Sequence, residues 1–157
     1  MNNKIYITLN RKEDYVNKFN DERITMELNN YILDEIRTID LKEKTEIVVD
    51  SKFQMSEDEK NKLKKMIKNN FKDDINETSM YLRKMFLIDT ILFFSGIFAL
   101  LIYIVSNKLL VISEVILIIG WLLIWEGVYN FIFSTLENKI KIARRHQIIN
   151  SKITFKE

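Results

Sequence analysis

The chain has 157 residues, with 24 basic and 22 acidic side chains for a net charge of +2, and it contains no cysteine and no proline. Without cysteine it can form no disulfide, thiolate nucleophile, cysteine-bound metal site or acylated lipoprotein anchor. The near-neutral balance also disfavours nucleic acid as a partner, because a nucleic-acid-binding surface needs a concentrated excess of Lys and Arg.

The charges are distributed unevenly. Residues 1–84 carry 17 basic and 17 acidic side chains, residues 85–134 carry one and three, and residues 135–157 carry six and two. This pattern predicts an α+β membrane protein in four parts: a cytoplasmic α/β head over 1–82, transmembrane helices over 83–106 and 109–134, and a basic cytoplasmic tail over 135–157.

The opening "MNNKIYITLN" lacks the basic n-region and long apolar run of a signal peptide, so the head is expected in the cytoplasm. Within it, Ile5 to Leu9 is β-branched or aromatic in four of five places and reads as a strand. Ile24, Leu28, Tyr31, Ile32, Ile36 and Ile39 then recur mostly at three- and four-residue steps, which predicts a helix that buries one stripe. "TEIVVDS" (Thr45 to Ser51) is a second strand, and its continuous Ile47, Val48, Val49 suits a sheet covered on at least one face.

Ser56 and Glu59 stand at capping-box spacing and mark the start of a second helix, with Leu63, Ile67, Phe71 and Ile75 as its stripe. No proline and no glycine before Gly96 interrupts it, so it is expected to run directly into the first apolar span. The head is therefore βαβα, an order whose default is a parallel pairing. Residues 151–156 of "SKITFKE" alternate like a strand and could return to the same sheet as a third member.

Met85 to Val105 is 21 residues with one charge, Asp89, and Leu109 to Ser134 is 26 residues with two, Glu114 and Glu126. Each is long enough to cross a hydrocarbon core of roughly 30 Å. Only Ser106, Asn107 and Lys108 separate them, which predicts a tight helical hairpin. Arg83 and Lys84 flank the first span, and Lys139, Lys141, Arg144 and Arg145 follow the second. Both termini should then face the cytoplasm, in the inner (cytoplasmic) membrane of the cell.

A hairpin register centred on the turn puts Asp89 and Glu126 at equal depth near the cytoplasmic edge and Glu114 near the outer side. Small residues recur along one side of each helix and predict close packing through Gly96, Gly120 and Gly127, with Gly96 opposite Gly120. In that register Glu126 flanks the seam and is sheltered within one hairpin. Glu114 points away, on the side of Trp121, and needs water, a headgroup or a neighbouring copy. Trp121, Trp125 and Tyr129 are expected to anchor the membrane interface. The basic tail, with the lone His146 in "ARRHQ", is expected to meet anionic headgroups.

No Gly-rich phosphate loop, metal-ligand cluster or nucleophile–base pair is visible, so neither catalysis nor a cofactor is expected. The plan of cytoplasmic head, two-helix hairpin and short cytoplasmic tail, with "GWLLIWEG" (Gly120 to Gly127), resembles the small two-transmembrane effectors of bacterial antiphage defence over roughly a third of the chain. That resemblance implies a membrane-perturbing pore. Two functions follow as expectations. The first is a homo-oligomeric ion channel or pore, gated or regulated by its head, in which rings of Glu114 with Glu126 or Asp89 favour cations. The second is a membrane-anchored, non-catalytic binding or scaffold module whose head takes a cytoplasmic ligand or protein.

Overall fold

A computed structural model describes residues 3–105 and 110–156, so the expected turn at Ser106, Asn107 and Lys108 lies outside the described residues. The elements in chain order are β1 (Lys4–Leu9), β2 (Val16–Asn17), β3 (Asn20–Ile24), α1 (Met26–Arg37), β4 (Glu46–Ser51), α2 (Glu57–Val105), α3 (Leu110–Ile149) and β5 (Lys152–Lys156). They form two compact units, Met1–Glu77 with Lys141–Glu157, and Thr78–Ile140.

The first unit is built on a three-stranded sheet in the order β1-β4-β5. β4 is central and pairs parallel with both neighbours, Ile5 opposite Ile47 and Ile47 opposite Ile153. Along β1, alternate residues Ile5, Ile7 and Leu9 are buried while Lys4, Tyr6 and Thr8 are exposed. The period of two in the strand thus gives this sheet one apolar face. Ile47, Val49 and Ile153 extend that face, and Leu28, Ile32 and Ile36 of α1 join the same core with Leu63, Met66, Ile67 and Phe71 of α2 and Ile148 of α3.

The third strand is therefore supplied from the far end of the chain, as residues 151–156 suggest. A consequence reaches further than one strand. Ile148 is fully buried, and Gln147 donates to the carbonyls of Asp40 and Glu43 at 2.8 and 3.0 Å. Arg144 donates to the carbonyls of Ile36 and Ile39. The Ile36 and Ile39 carbonyls lie where α1 ends, and a cation there complements the helix dipole. α3 thus continues through residues 135–149, which the sequence reading treats as tail, and its last turns belong to the core of the head unit.

Local chemistry sets the element ends. Thr25 caps α1, its hydroxyl accepting from the Leu28 amide at 3.3 Å. At the start of α2 the Ser56 hydroxyl accepts from the Glu59 amide at 3.2 Å, while the Glu59 carboxylate accepts from the Ser56 amide at 3.0 Å. This is the reciprocal box read from the sequence. The single bond from the Ser56 amide to the carboxylate is the main reason Glu59 sits below its ordinary value, with Lys12 lowering it further. Asp14 is lowered likewise, by accepting from the amides of Asn10 and Arg11. Lys4 and Glu46, opposite each other in the sheet, form a 3.0 Å ion pair that lowers the carboxyl and raises the amine.

Two features depart from the sequence reading. Ile24 and Ile39 are buried but lie outside α1, which starts at Met26; Ile24 ends β3. Tyr31 is exposed rather than core, and its hydroxyl donates to the Tyr6 carbonyl of β1 at 2.7 Å. The small hairpin of β2 and β3 has no counterpart in the sequence reading.

Candidate functional site

The second unit, Thr78–Ile140, consists of the later part of α2 and most of α3. Both helices are long and apolar enough to cross a membrane, and only 11% of each apolar window is buried. That exposure separates them from the core helices of a water-soluble fold, which hide most of their apolar surface.

The two helices meet along a glycine seam. A methyl group built on Gly96 would lie 2.8 Å from the Gly120 carbonyl oxygen and 2.9 Å from the Ile124 backbone nitrogen. One built on Gly120 would lie 3.1 Å from the Gly96 oxygen, and one on Gly127 would lie 2.9 Å from the Asp89 oxygen. Backbone meets backbone at all three positions. Gly96 and Gly120 thus face each other, and Gly127 lies against Asp89. Phe93 and Leu100 cover Gly127 and Gly120 respectively, contacts that the choice of small residues alone did not point to. Their signal was the 89, 93, 96, 100 spacing, alternating steps of four and three on one face.

The acids are divided differently from the sequence expectation. Asp89, not Glu126, is the carboxylate enclosed by the hairpin: it is 5% exposed, and its Oδ1 has no hydrogen-bond partner. Glu126 is exposed, because Gly127, one residue on, takes the seam position and turns Glu126 about 100° away from it. Its Oε1 accepts from the Asn130 side-chain amide at 3.1 Å, one turn along α3. Asp89 and Glu126 are therefore separate features, one inside the hairpin and one on its surface.

Glu114 is exposed and aligned with exposed Ile118, Trp121 and Trp125 at steps of four, three and four. This is the outward face of α3. Tyr129 is half exposed one turn further on, its ring 4.7 Å from that of Phe133. The three aromatics expected at an interface thus share a lateral face, and none of them enters the seam. His146 is exposed in the head unit, within the last turn of α3.

Chemically, the three acids of the apolar stretches are acceptors. Asp89 and Glu114 can take a proton, a cation or a donor from another molecule, whereas Glu126 already has Asn130. Among the described residues there is no group of three His, Cys, Asp or Glu positioned to hold a metal ion. No protein-family model matches the chain, and neither a curated protein nor a solved structure does.

Proposed function

We propose that the protein is a homo-oligomeric channel or pore of the cytoplasmic membrane, with both termini in the cytoplasm and conduction gated or regulated by its α/β head. The reading is carried by Glu114. This carboxylate is exposed on a face shared with Ile118, Trp121 and Trp125, and among the described residues none covers it. A charged side chain at the middle of a bilayer costs about 2.5–3.5 kcal/mol on insertion scales and less toward an interface, so Glu114 carries part of that penalty. A second copy of the chain, presenting its own Glu114 around a hydrated axis, removes that penalty and yields a cation-selective ring. Glu126 with Asn130 supplies a second polar position nearer the cytoplasmic end. The similarity of plan to two-transmembrane antiphage effectors agrees with this reading and makes a role in defence the biological setting we favour.

Purified protein in planar bilayers is expected to conduct cations, and Glu114→Gln should lower cation selectivity. Absence of conductance, or a detergent-solubilised mass equal to one chain, defeats the proposal.

One observation favours a second reading. The seam closes the hairpin within a single chain, so the hairpin can serve as an anchor without oligomerising. In that case the head is a binding or scaffold module for a cytoplasmic ligand or protein, and Glu114→Leu leaves function intact.

A further inference from the structure

Where the chain enters and leaves the second unit, the two helices border a groove of about 520 Å³. Its floor is apolar, made by Phe86, Leu87 and Phe131, and the rings of Phe86 and Phe131 stand 6.1 Å apart. Its rim carries one cation from each helix, Arg83 from α2 and Lys139 from α3, together with Thr135. No acidic side chain lines the groove. Both cations are exposed, and among the described residues neither has a hydrogen-bond or ion-pair partner.

We propose that this groove is a binding site for one anionic phospholipid, with the headgroup phosphate held between Arg83 and Lys139 and an acyl chain lying on Phe86, Leu87 and Phe131. The inference rests on the reading that the hairpin crosses a membrane.

Three observations select this occupant. The groove is amphipathic in one direction, cationic at the rim and apolar beyond it, as is a phospholipid. The change of character falls where the charge-rich sequence stops: from residue 85 to 105 the only charge is Asp89, and from 110 to 134 the only charges are Glu114 and Glu126. That boundary is the headgroup level of a spanning hairpin. Finally, the donors suit phosphate. The Arg83 guanidinium can form paired N–H bonds to two phosphate oxygens, Lys139 adds a point charge, and the Thr135 hydroxyl can donate. A second copy docked symmetrically on the same groove would set Arg83 and Lys139 against their own equivalents, and like charges oppose that contact.

The test uses the full chain. Protein reconstituted in vesicles of phosphatidylcholine mixed with phosphatidylglycerol is first floated on a density gradient, then extracted gently and weighed with its retained lipids by native mass spectrometry. Wild-type chains should float and keep phosphatidylglycerol in preference to phosphatidylcholine. A charge-assisted hydrogen bond to the phosphate should make Arg83→Gln or Lys139→Gln weaken that preference about tenfold, and the double variant by more than tenfold. Lys84→Gln removes the same charge one residue outside the groove and should have little effect, whereas Arg83→Lys, which keeps the charge but not the paired N–H bonds, should keep part of the preference. Soluble glycerol phosphate, which lacks an acyl chain, should not displace the lipid. Equal losses in Lys84→Gln and Arg83→Gln, displacement by glycerol phosphate, or no preference in the wild type overturns the site while leaving the membrane reading standing. A chain that does not float overturns both.

Discussion

Gly96→Ala is the sharpest test of the hairpin seam. The added methyl would sit 2.6 Å from Ile124 Cγ1, 2.8 Å from the Gly120 oxygen and 2.9 Å from the Ile124 nitrogen. Two of these three atoms are backbone, so no rotamer change relieves the clash and the helices must separate. Reaching ordinary contact with the Gly120 oxygen requires a displacement of about 0.6 Å, and a gap of that size already forfeits about a quarter of each neighbouring dispersion contact. Overpacking of this kind costs about 1–3 kcal/mol. The opposing gain, alanine over glycine in a helix, is about 0.8–1 kcal/mol. The difference leaves the hairpin about 0–2 kcal/mol less stable, and the two backbone contacts under 3.0 Å place Gly96→Ala toward the upper end. At Gly120 the nearest atom is the tip of Leu100, at 3.0 Å, which can turn aside, and the Gly96 oxygen at 3.1 Å needs only about 0.3 Å of relief, so Gly120→Ala should cost less than Gly96→Ala. Gly127→Ala, with the Asp89 oxygen at 2.9 Å, should fall between them. The assay is reversible unfolding in mixed micelles titrated with denaturing detergent, read from the emission of Trp121 and Trp125. A Gly96→Ala protein as stable as wild type, or a Gly120→Ala protein that loses more, refutes the argument.

Other perturbations have equally definite outcomes. Asp89→Ala removes a buried carboxylate with an unpartnered oxygen, a group whose burial costs about 1–3 kcal/mol, so the same micelle titration should show a hairpin more stable by about 1 kcal/mol. Ser56→Ala breaks the cap of α2 and should lower the stability of the head by about 1 kcal/mol, visible as faster hydrogen exchange at the Glu59 amide and in the following turn. Acidification should weaken the head. Asp14, Glu46 and Glu59 are all lowered in the folded state, so their contribution is complete above the ordinary glutamate value of 4.5 and is lost as pH falls through the lower folded values. Lys4 is raised, so its contribution is complete below 10.5 and disappears as pH climbs beyond it. A melting temperature unchanged between pH 6 and pH 3 in detergent solution would contradict the acid-side prediction.

The parts of this fold that are visible in the sequence are those where one physical signal dominates. The strands β1, β4 and β5 are β-branched runs; the start of α2 carries its capping pair; and the two apolar stretches are long and almost free of charge. The β2–β3 hairpin is invisible for a matching reason. Four of the five residues of β3 are exposed, so "NDERI" has no apolar period to detect. Its only cues are polar: Asn17 accepts from the Phe19 amide at 2.9 Å and Asn20 from the Glu22 amide at 3.0 Å. In the hairpin, spacing indicated that Gly96 and Gly120 meet, since two glycines at matched distances from the turn need no further information. The side of the seam on which each acid falls was not legible to that precision. Glu126 and Gly127 are neighbours in sequence, and one residue of rotation decides which of them is inside.

The same connectivity that hides these details sets how the head must assemble. β4 ends at Ser51 and its second partner, β5, begins only at Lys152, so the crossover between two adjacent parallel strands contains both long helices. Parallel strands always require a crossover, and one helix usually suffices. Here roughly a hundred residues intervene, and closing so long a loop is slow even when its entropic cost rises only logarithmically. Until β5 arrives, β4 has an open edge and the core lacks Ile148 and Ile153. The bonds from Arg144 to the carbonyls of Ile36 and Ile39, and from Gln147 to those of Asp40 and Glu43, likewise form only when α3 is in place. A head unit that needs the residues on both sides of the hairpin cannot complete its core before the hairpin itself has been made. Folding of the head unit is thereby tied to completion of the apolar pair, and a chain interrupted within α3 exposes an unpaired strand edge.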